Sequence, residues 1–174
     1  MSKAIPATLL DHLRREQANA TCLYLQYKGY HWNVSGSLFR ELHLMFDEHA
    51  KSVLDTADEF AERQRMHGAR APYTLDEMST LQELPSEDGR PADAAEMLER
   101  LREAHLEVIG GLKAAFQTAE EIADPGSADL FARTVQLHEK MEWFLREHLV
   151  KSSAPSERVH VRAVVPATTA SSSR

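Results

Sequence analysis

The chain has 174 residues, 43% of them hydrophobic, and a formal net charge of −7. Its length suits one globular domain with a sizeable core, and its negative charge argues against a general nucleic-acid-binding surface. The single cysteine, Cys22, excludes an intrachain disulfide and a zinc site built on cysteines. Since the chain has neither a run of about 18 apolar residues nor a signal-peptide layout at its N-terminus, we expect no membrane span and a cytoplasmic location.

Apolar residues recur at helical spacing along most of the chain and predict four long helices. Asn33 and Gly36 are stop signals for the first helix, and Ser37 is the expected N-cap of the second. The connector after the second helix has room for one short helix. In chain order, the predicted helices cover about 6–32, 37–67, 75–84, 92–122 and 128–150, with a turn at 124–127.

The composition changes at Lys151, where Ser, Thr, Ala and Pro become frequent and the helical pattern ends. Residues 151–174 are therefore predicted to be a flexible tail. Residues 1–150 are expected to fold as one all-α domain, a four-helix bundle with a long crossover connector.

One helix carries four side chains that can bind a metal: His43, Asp47, Asp58 and Glu62. At about 100° per residue they fall within an arc of roughly 100° and form one polar stripe. Positions 43 and 62 have the same midpoint as positions 47 and 58, between Ser52 and Val53. Asp47 and Asp58 lie about 16 Å apart along the axis, so one helix cannot close both ends of the stripe on one ion.

A second copy of the helix, placed antiparallel about a two-fold axis near Ser52, resolves this difficulty. It would bring the His43 end of one chain against the Glu62 end of the other. The resulting oxygen and imidazole ligands suit Fe(II), Mn(II) or Zn(II). If the hairpin folds about Gly36, His31 lies within about one turn of His43 and joins the cluster from the same chain. The alternative that stays open is a solvated helix face in a bundle without metal.

Three segments carry a family resemblance: YHWNVSG, FRELHLMFDEH and DTADEFAER, with HEKMEWFLREHL in the last helix. Together they resemble the Dps proteins, the mini-ferritins of bacteria, over about residues 9–149. The resemblance implies a ferritin-like four-helix bundle with a short extra helix in the connector, assembled into a hollow shell of twelve subunits. The Glu-x-x-His pair of classical ferritins occurs only as Glu157 to His160 in the tail, where we attribute it to chance.

The resemblance also implies a ferroxidase, an oxidoreductase that acts on iron at a site shared by two chains. Carried over residue by residue, the ligands are His31, His43 and Asp47 of one chain with Asp58 and Glu62 of its neighbour. Fe(II) would be oxidised by hydrogen peroxide or O2 and stored as Fe(III) mineral, which protects against oxidative damage. Zinc or another divalent metal is compatible with the same ligands.

Further roles follow from the resemblance, each with a simpler alternative. Trp32 is a candidate acceptor of a stray oxidising equivalent, or packs in an interface. Asp124 and Asp129 match acidic residues that line three-fold pores, although an Asp near a helix N-terminus also stabilises the helix by itself. Glu48 is a candidate for nucleating mineral.

DNA binding is the rival function. The tail is mildly basic, and its candidate DNA-binding residues are Lys151, Arg158, Arg162 and Arg174. Many copies of such a tail would add up weak contacts with phosphates, whereas the acidic body would repel DNA. The protein would then be a nucleoid-associated protein that compacts DNA.

The remaining conspicuous side chains lack an obvious functional partner. His105, His138 and His148 have no ligand at a suitable spacing and are predicted to lie at the surface or at helix ends. Trp143 and Phe144 are predicted to be in the core.

Overall fold

The computed structural model describes residues 6–86 and 89–150. This part of the chain contains five α-helices, which are α1 Ala7–Asn33, α2 Phe39–Met66, α3 Leu75–Leu81, α4 Ala94–Glu121 and α5 Pro125–Leu149. The prediction of an all-α bundle with a short helix in the connector is confirmed. The tail at 151–174 lies outside the described residues, so its separation from the domain stays a prediction.

The four long helices form two hairpins that pack together. α1 packs along α2, α4 packs along α5, α1 also contacts α4, and the short α3 lies against α1. The largest fully buried side chains include Tyr27, Phe46, Phe60 and Phe131. The rings of Phe60 and Phe131 are 6.0 Å apart and join α2 to α5. No helix in the described part of the chain is long and apolar enough to cross a bilayer.

The C-terminal half of α5 places its aromatic side chains differently from the prediction. Trp143 is 47% exposed and Phe144 is 37% exposed, so their assignment to the core is wrong. Met141 and Leu145 take the inward positions of this segment and are buried. Four residues apart, these two share a helix face, which leaves positions 143 and 144 on the flank.

The turn between α1 and α2 brings the first two helices into an antiparallel hairpin. Gly36 has a φ of +101°, a conformation that favours glycine. The Phe39 amide donates to the Gly36 carbonyl at 3.1 Å, so this turn extends to Phe39 before the helix begins. Leu38 is therefore the N-cap, without a side-chain hydrogen bond, and the prediction of Ser37 as the cap is wrong.

The start of α5 also differs from the prediction, which had a turn over 124–127. The helix begins at Pro125, three residues before the predicted start at Ala128. Asp124 is the N-cap and accepts a hydrogen bond from the Ser127 amide at 3.3 Å, while proline suits the first helical position because it has no amide hydrogen to satisfy. The Asp-Pro-Gly-Ser segment is thus the first turn of the helix.

Candidate metal centre

Two histidines face each other beside the turn that joins α1 and α2. The rings of His31 and His43 stack with centroids 3.7 Å apart and planes 21° from parallel. His31 Nδ1 donates to the His43 carbonyl at 2.7 Å, and His43 Nδ1 donates to the His31 carbonyl at 2.8 Å. Because a carbonyl only accepts, the Nε2 atom of each neutral ring keeps its lone pair for a metal. Metal-binding histidines are commonly oriented by such a hydrogen bond from the other ring nitrogen.

Asp47 lies one helical turn beyond His43 and is held by two lysines. Its Oδ1 atom is 2.7 Å from Lys28 Nζ on α1, and its Oδ2 atom is 2.6 Å from Lys51 Nζ on α2. The hydrogen bonds from Lys28 and Lys51, together with their charges, hold the pKa of Asp47 well below its usual range. The group is therefore a carboxylate at neutral pH, which is the form that binds metals.

The other two predicted ligands, Asp58 and Glu62, lie in the C-terminal half of α2. Both are exposed, and neither makes an ion pair with another residue that the structure describes. Within residues 6–86 and 89–150, no three His, Cys, Asp or Glu side chains come close enough to hold a metal together. One chain thus presents an imidazole pair at one end of α2 and two open carboxylates at the other. Their role as ligands stays a prediction.

Apolar side chains are exposed next to this stripe. Trp32 is 68% exposed, with the Lys28 ammonium 5.8 Å from the centre of its ring. Leu54 is 43% exposed and lies within two residues of the predicted two-fold axis. Exposed apolar groups beside polar ones are typical of protein interfaces, which fits a second chain at this face.

The two acidic residues at the start of α5 have different surroundings. Asp124 binds Arg63, caps the helix through Ser127 and lies 3.1 Å from His67 Nε2. Burial acts to raise the pKa of Asp124, but the hydrogen bonds from Ser127 and the charges of Arg63 and His67 outweigh it and lower the pKa. The contacts of Asp124 are therefore those of a helix cap.

Asp129, in contrast, has a side chain that is 79% exposed and 3.6 Å from Arg133 Nε. Glu48 is exposed on α2. The pore role of Asp124 and Asp129 and the mineral role of Glu48 stay predictions. The candidate DNA-binding residues lie outside the described residues.

Two histidines predicted at the surface are instead in the centre of the bundle. His105 is 0% exposed and His138 is 1% exposed, so their prediction is wrong, whereas His148 does lie in the last turn of α5. His105 Nδ1 is 2.9 Å from His138 Nδ1, and His105 Nε2 is 2.6 Å from the hydroxyl of Tyr27. That hydroxyl is also 3.0 Å from His49 Nδ1. We call these four residues the core polar chain.

Burial changes the protonation of this chain. Burial and the neighbouring imidazoles of His138 and His49 lower the pKa of His105 well below its ordinary value of 6.5. Burial, with the charge of His49, lowers the pKa of His138 to about 4, and burial raises the pKa of Tyr27. All three are neutral near pH 7. The sequence carried a signal for His105, because Leu101, His105, Val108 and Leu112 share a helical spacing.

The comparisons with known proteins agree with this fold. Residues 10–154 match the family model described as a ferritin-like domain. The DNA protection during starvation protein 1 of Deinococcus radiodurans is 34% identical over 142 residues, which are 80% of this chain and 67% of that protein.

Two solved structures are similar as well. The Dps protein of Thermosynechococcus elongatus is 37% identical with a TM-score of 0.81, covering 84% of this chain and 92% of that one. DpsC of Streptomyces coelicolor is 28% identical with a TM-score of 0.81, covering 88% and 95%. The fold and the matched domain define a ferritin-like protein. Within that class, the chain belongs to the Dps family, as its sequence motifs indicate.

Proposed function

We propose that this Dps-family protein is a ferroxidase and an iron store. It oxidises Fe(II) at sites shared by two chains and keeps the Fe(III) product inside a shell of twelve subunits. The observation that carries the proposal is the division of the ligands along α2. The His31–His43 pair lies at one end and the open carboxylates of Asp58 and Glu62 lie at the other. Positions 43 and 62 share their midpoint with positions 47 and 58. Family membership supports iron as the substrate.

In the proposed dimer, α2 of one chain lies antiparallel to α2 of its neighbour. Each of the two sites then has His31, His43 and Asp47 from one chain and Asp58 and Glu62 from the other. Imidazole and carboxylate ligands bind Fe(II), and the carboxylates bind the more highly charged Fe(III) product more strongly. The exposed Trp32 and Leu54 would be covered by the same contact.

The reaction follows from placing two Fe(II) ions side by side. Hydrogen peroxide needs two electrons and two protons to become two water molecules. Each Fe(II) gives one electron, so the O–O bond is broken without release of a hydroxyl radical. O2 is the alternative oxidant. Asp124 and Asp129 are proposed to line the entry for Fe(II), and Glu48 is proposed to bind the first mineral. The protein is proposed to act in the bacterial cytoplasm.

The experiment is oxidation of Fe(II) under anaerobic conditions, with stoichiometric peroxide, on protein separated by size. Wild type should consume about two Fe(II) per peroxide. The double variant Asp58→Ala, Glu62→Ala should be at least about tenfold slower, because each site loses two carboxylates. The double variant Glu103→Ala, Glu107→Ala is the matched control, since it removes two exposed acids at the same spacing from α4.

Two outcomes would contradict the proposal. If both double variants assemble and oxidise Fe(II) as fast as wild type, then the stripe on α2 is not the site of oxidation. If wild type itself oxidises Fe(II) no faster than buffer does, the ferroxidase proposal fails entirely.

A second candidate function is DNA compaction, and the observation in its favour is the name of the Deinococcus relative, a DNA protection protein. Here the tail with Lys151, Arg158, Arg162 and Arg174 would bind phosphates. Gel retardation over a range of salt concentrations, with and without residues 151–174, tests it. A shift at low salt that disappears with the tail supports this function, and no shift at any salt concentration rules it out.

A further inference from the structure

The core polar chain joins all four long helices through hydrogen bonds. Tyr27 is on α1, His49 on α2, His105 on α4 and His138 on α5, and each is buried. The hydrogen bonds run in the order His49, Tyr27, His105 and His138, with donor–acceptor distances of 3.0, 2.6 and 2.9 Å. These side chains do not form a group of ligands around one point, so within the described residues the chain is a line of hydrogen bonds and not a metal site.

Counting hydrogens limits how the chain can be arranged. The Tyr27 hydroxyl has one hydrogen, and it lies between two imidazole nitrogens. It therefore donates to one ring and accepts from the other, and the same direction continues from His105 to His138. The shorter contact, 2.6 Å, is the one to His105 Nε2. We infer that the hydroxyl donates across this shorter contact, so that the lone pair of neutral His105 Nε2 is the base.

This arrangement has a consequence for oxidation of the phenol. A phenol that loses an electron becomes a strong acid and must also lose its proton. In a buried site that proton cannot go to water, and burial raises the pKa of Tyr27, which disfavours a phenolate. Transfer to His105 Nε2 removes the proton without water and without a phenolate. It is favourable although burial lowers the pKa of His105, because an oxidised phenol is a far stronger acid than an imidazolium. His105 can share the proton with His138 at 2.9 Å, which spreads the positive charge over two rings.

Tyr27 is also close to the proposed iron site. It lies four residues before His31 on α1, about 6 Å along the helix axis. The ring of Phe46 is 6.1 Å from that of Tyr27 and is on the same helix as Asp47. Trp32 is nearer to the surface and 68% exposed, whereas Tyr27 is 0% exposed. An oxidised Tyr27 would therefore be shielded from solvent.

We propose that Tyr27 is a redox-active tyrosine that gives the second electron to hydrogen peroxide when its site holds a single Fe(II), while its phenolic proton moves to His105. Fe(II) gives the first electron, the O–O bond breaks, and two protons from solvent complete two water molecules. The products are Fe(III), a tyrosyl radical and protonated His105. The next Fe(II) reduces the radical and the proton returns to Tyr27. This inference rests on the proposed ferroxidase function.

The test compares Tyr27→Phe with Tyr30→Phe. Tyr30 is on the same helix, is 6% exposed and packs on Phe46 as well, so Tyr30→Phe is the matched control. Assembled protein that carries ring-deuterated tyrosine is mixed with one Fe(II) per site and peroxide, frozen rapidly and examined by electron paramagnetic resonance. A spectrum narrowed by deuteration identifies a tyrosyl radical as distinct from a tryptophanyl radical.

We expect the tyrosyl signal in wild type and in Tyr30→Phe, and at least a tenfold weaker signal in Tyr27→Phe. His105→Gln, which keeps a polar side chain but cannot take up a proton, should weaken the signal as well. Trapped hydroxyl radical should rise in Tyr27→Phe and not in Tyr30→Phe. An unchanged tyrosyl signal in Tyr27→Phe, or none in wild type that oxidises Fe(II), overturns the proposal.

A second arm keeps this inference separate from the ferroxidase proposal. A photochemically generated ruthenium(III) oxidant is applied to the iron-free assembly, and the same variants are compared. If wild type does not oxidise Fe(II) but forms a radical that Tyr27→Phe lacks, the ferroxidase proposal fails and the Tyr27–His105 pair stands as a redox unit. If neither arm yields a radical that depends on Tyr27, the inference fails.

Discussion

Asp47 shows how single charges affect the proposed metal site. Its two oxygen atoms already bind the ammonium groups of Lys28 and Lys51. A metal ion that binds Asp47 must displace at least one of them. Lys51 is the more accessible, because its side chain is 72% exposed against 17% for Lys28. The lysines keep the carboxylate ionised and at the same time compete with the metal.

Replacing Lys51 by Gln should therefore strengthen metal binding. We expect the dissociation constant for Zn²⁺, measured by titration calorimetry on the assembled protein, to fall about two- to fivefold, since an exposed ion pair competes only weakly. Lys113→Gln is the matched control, because Lys113 is also exposed and pairs with Glu139 between α4 and α5, which carry none of the proposed ligands. Equal affinities in wild type and Lys51→Gln would show that Lys51 does not compete.

His138 makes stability depend on pH in a predictable direction. Burial, with His49 nearby, lowers its pKa to about 4 from an ordinary value of 6.5. Between these two values the unfolded chain binds a proton that the folded chain does not, so stability falls as the pH falls from about 6.5 to 4. For one proton, the free energy of unfolding changes by up to about 1.4 kcal/mol per pH unit.

The measurement is urea unfolding at several pH values from 7.5 to 4.5, compared between wild type and His138→Gln. The variant should be less stable at pH 7.5 by about 1–3 kcal/mol, because a buried hydrogen bond is disturbed. Its stability should nevertheless fall less steeply as the pH decreases, because the unfolded variant takes up about one proton fewer than unfolded wild type. His148→Gln, in the last turn of α5, serves as the control. If the free energy of unfolding depends on pH in the same way in wild type and in His138→Gln, then His138 is not the source of this pH dependence.

At the scale of helices, the contact between α1 and α4 depends on a glycine that the sequence does not single out. A Cβ atom at Gly111 would be 2.6 Å from Glu16 Oε1. Glu16 is 1% exposed and its carboxylate accepts from Arg15 and Asn19, both at 3.1 Å, so it cannot move aside at low cost. Its burial also raises its pKa. The neighbouring Gly110 has nothing within 4 Å of the same position.

The two glycines should therefore respond oppositely to alanine. Gly110→Ala should stabilise the fold by about 0.5–1 kcal/mol through helix propensity alone. Gly111→Ala gains the same propensity but should be destabilising overall by about 1–2 kcal/mol, because the added methyl overpacks the contact with Glu16. The measurement is the free energy of unfolding of both variants by chemical denaturation. Similar stability changes in the two would mean that Glu16 moves freely.

What could be predicted from the sequence was mainly what neighbours along the chain decide. Apolar spacing predicted the four long helices, and the closeness of His31 to His43 followed from the hairpin about Gly36. The start of α5 was missed because Asp-Pro-Gly-Ser was interpreted as a turn, although Asp followed by Pro also matches an N-cap and a first helical position. His105 was missed because a buried histidine depends on partners from other helices, here Tyr27 and His138.

At the scale of the whole molecule, the proposed split of the ligands along α2 predicts complementation between inactive chains. In a dimer of one His43→Ala chain and one Glu62→Ala chain, one site carries both defects and the other has all its native ligands. Co-assembly of the two variants should restore up to about half of the activity per mixed dimer. The measurement is peroxide-dependent Fe(II) oxidation before and after co-refolding. Mixing His43→Ala with Asp47→Ala is the control, and it should restore nothing, because both defects lie in the same half of the site.

The same split sets an order of events during synthesis. On that proposal, a newly made subunit supplies three ligands to one site and two to another, so it would not precipitate ferric oxide in the open cell. Oxidation would begin only after two chains have met, which is also the first step in assembling the shell. Oxidation and storage would thereby be coupled without a separate regulator, and the concentration of the protein would set a threshold below which Fe(II) is not oxidised.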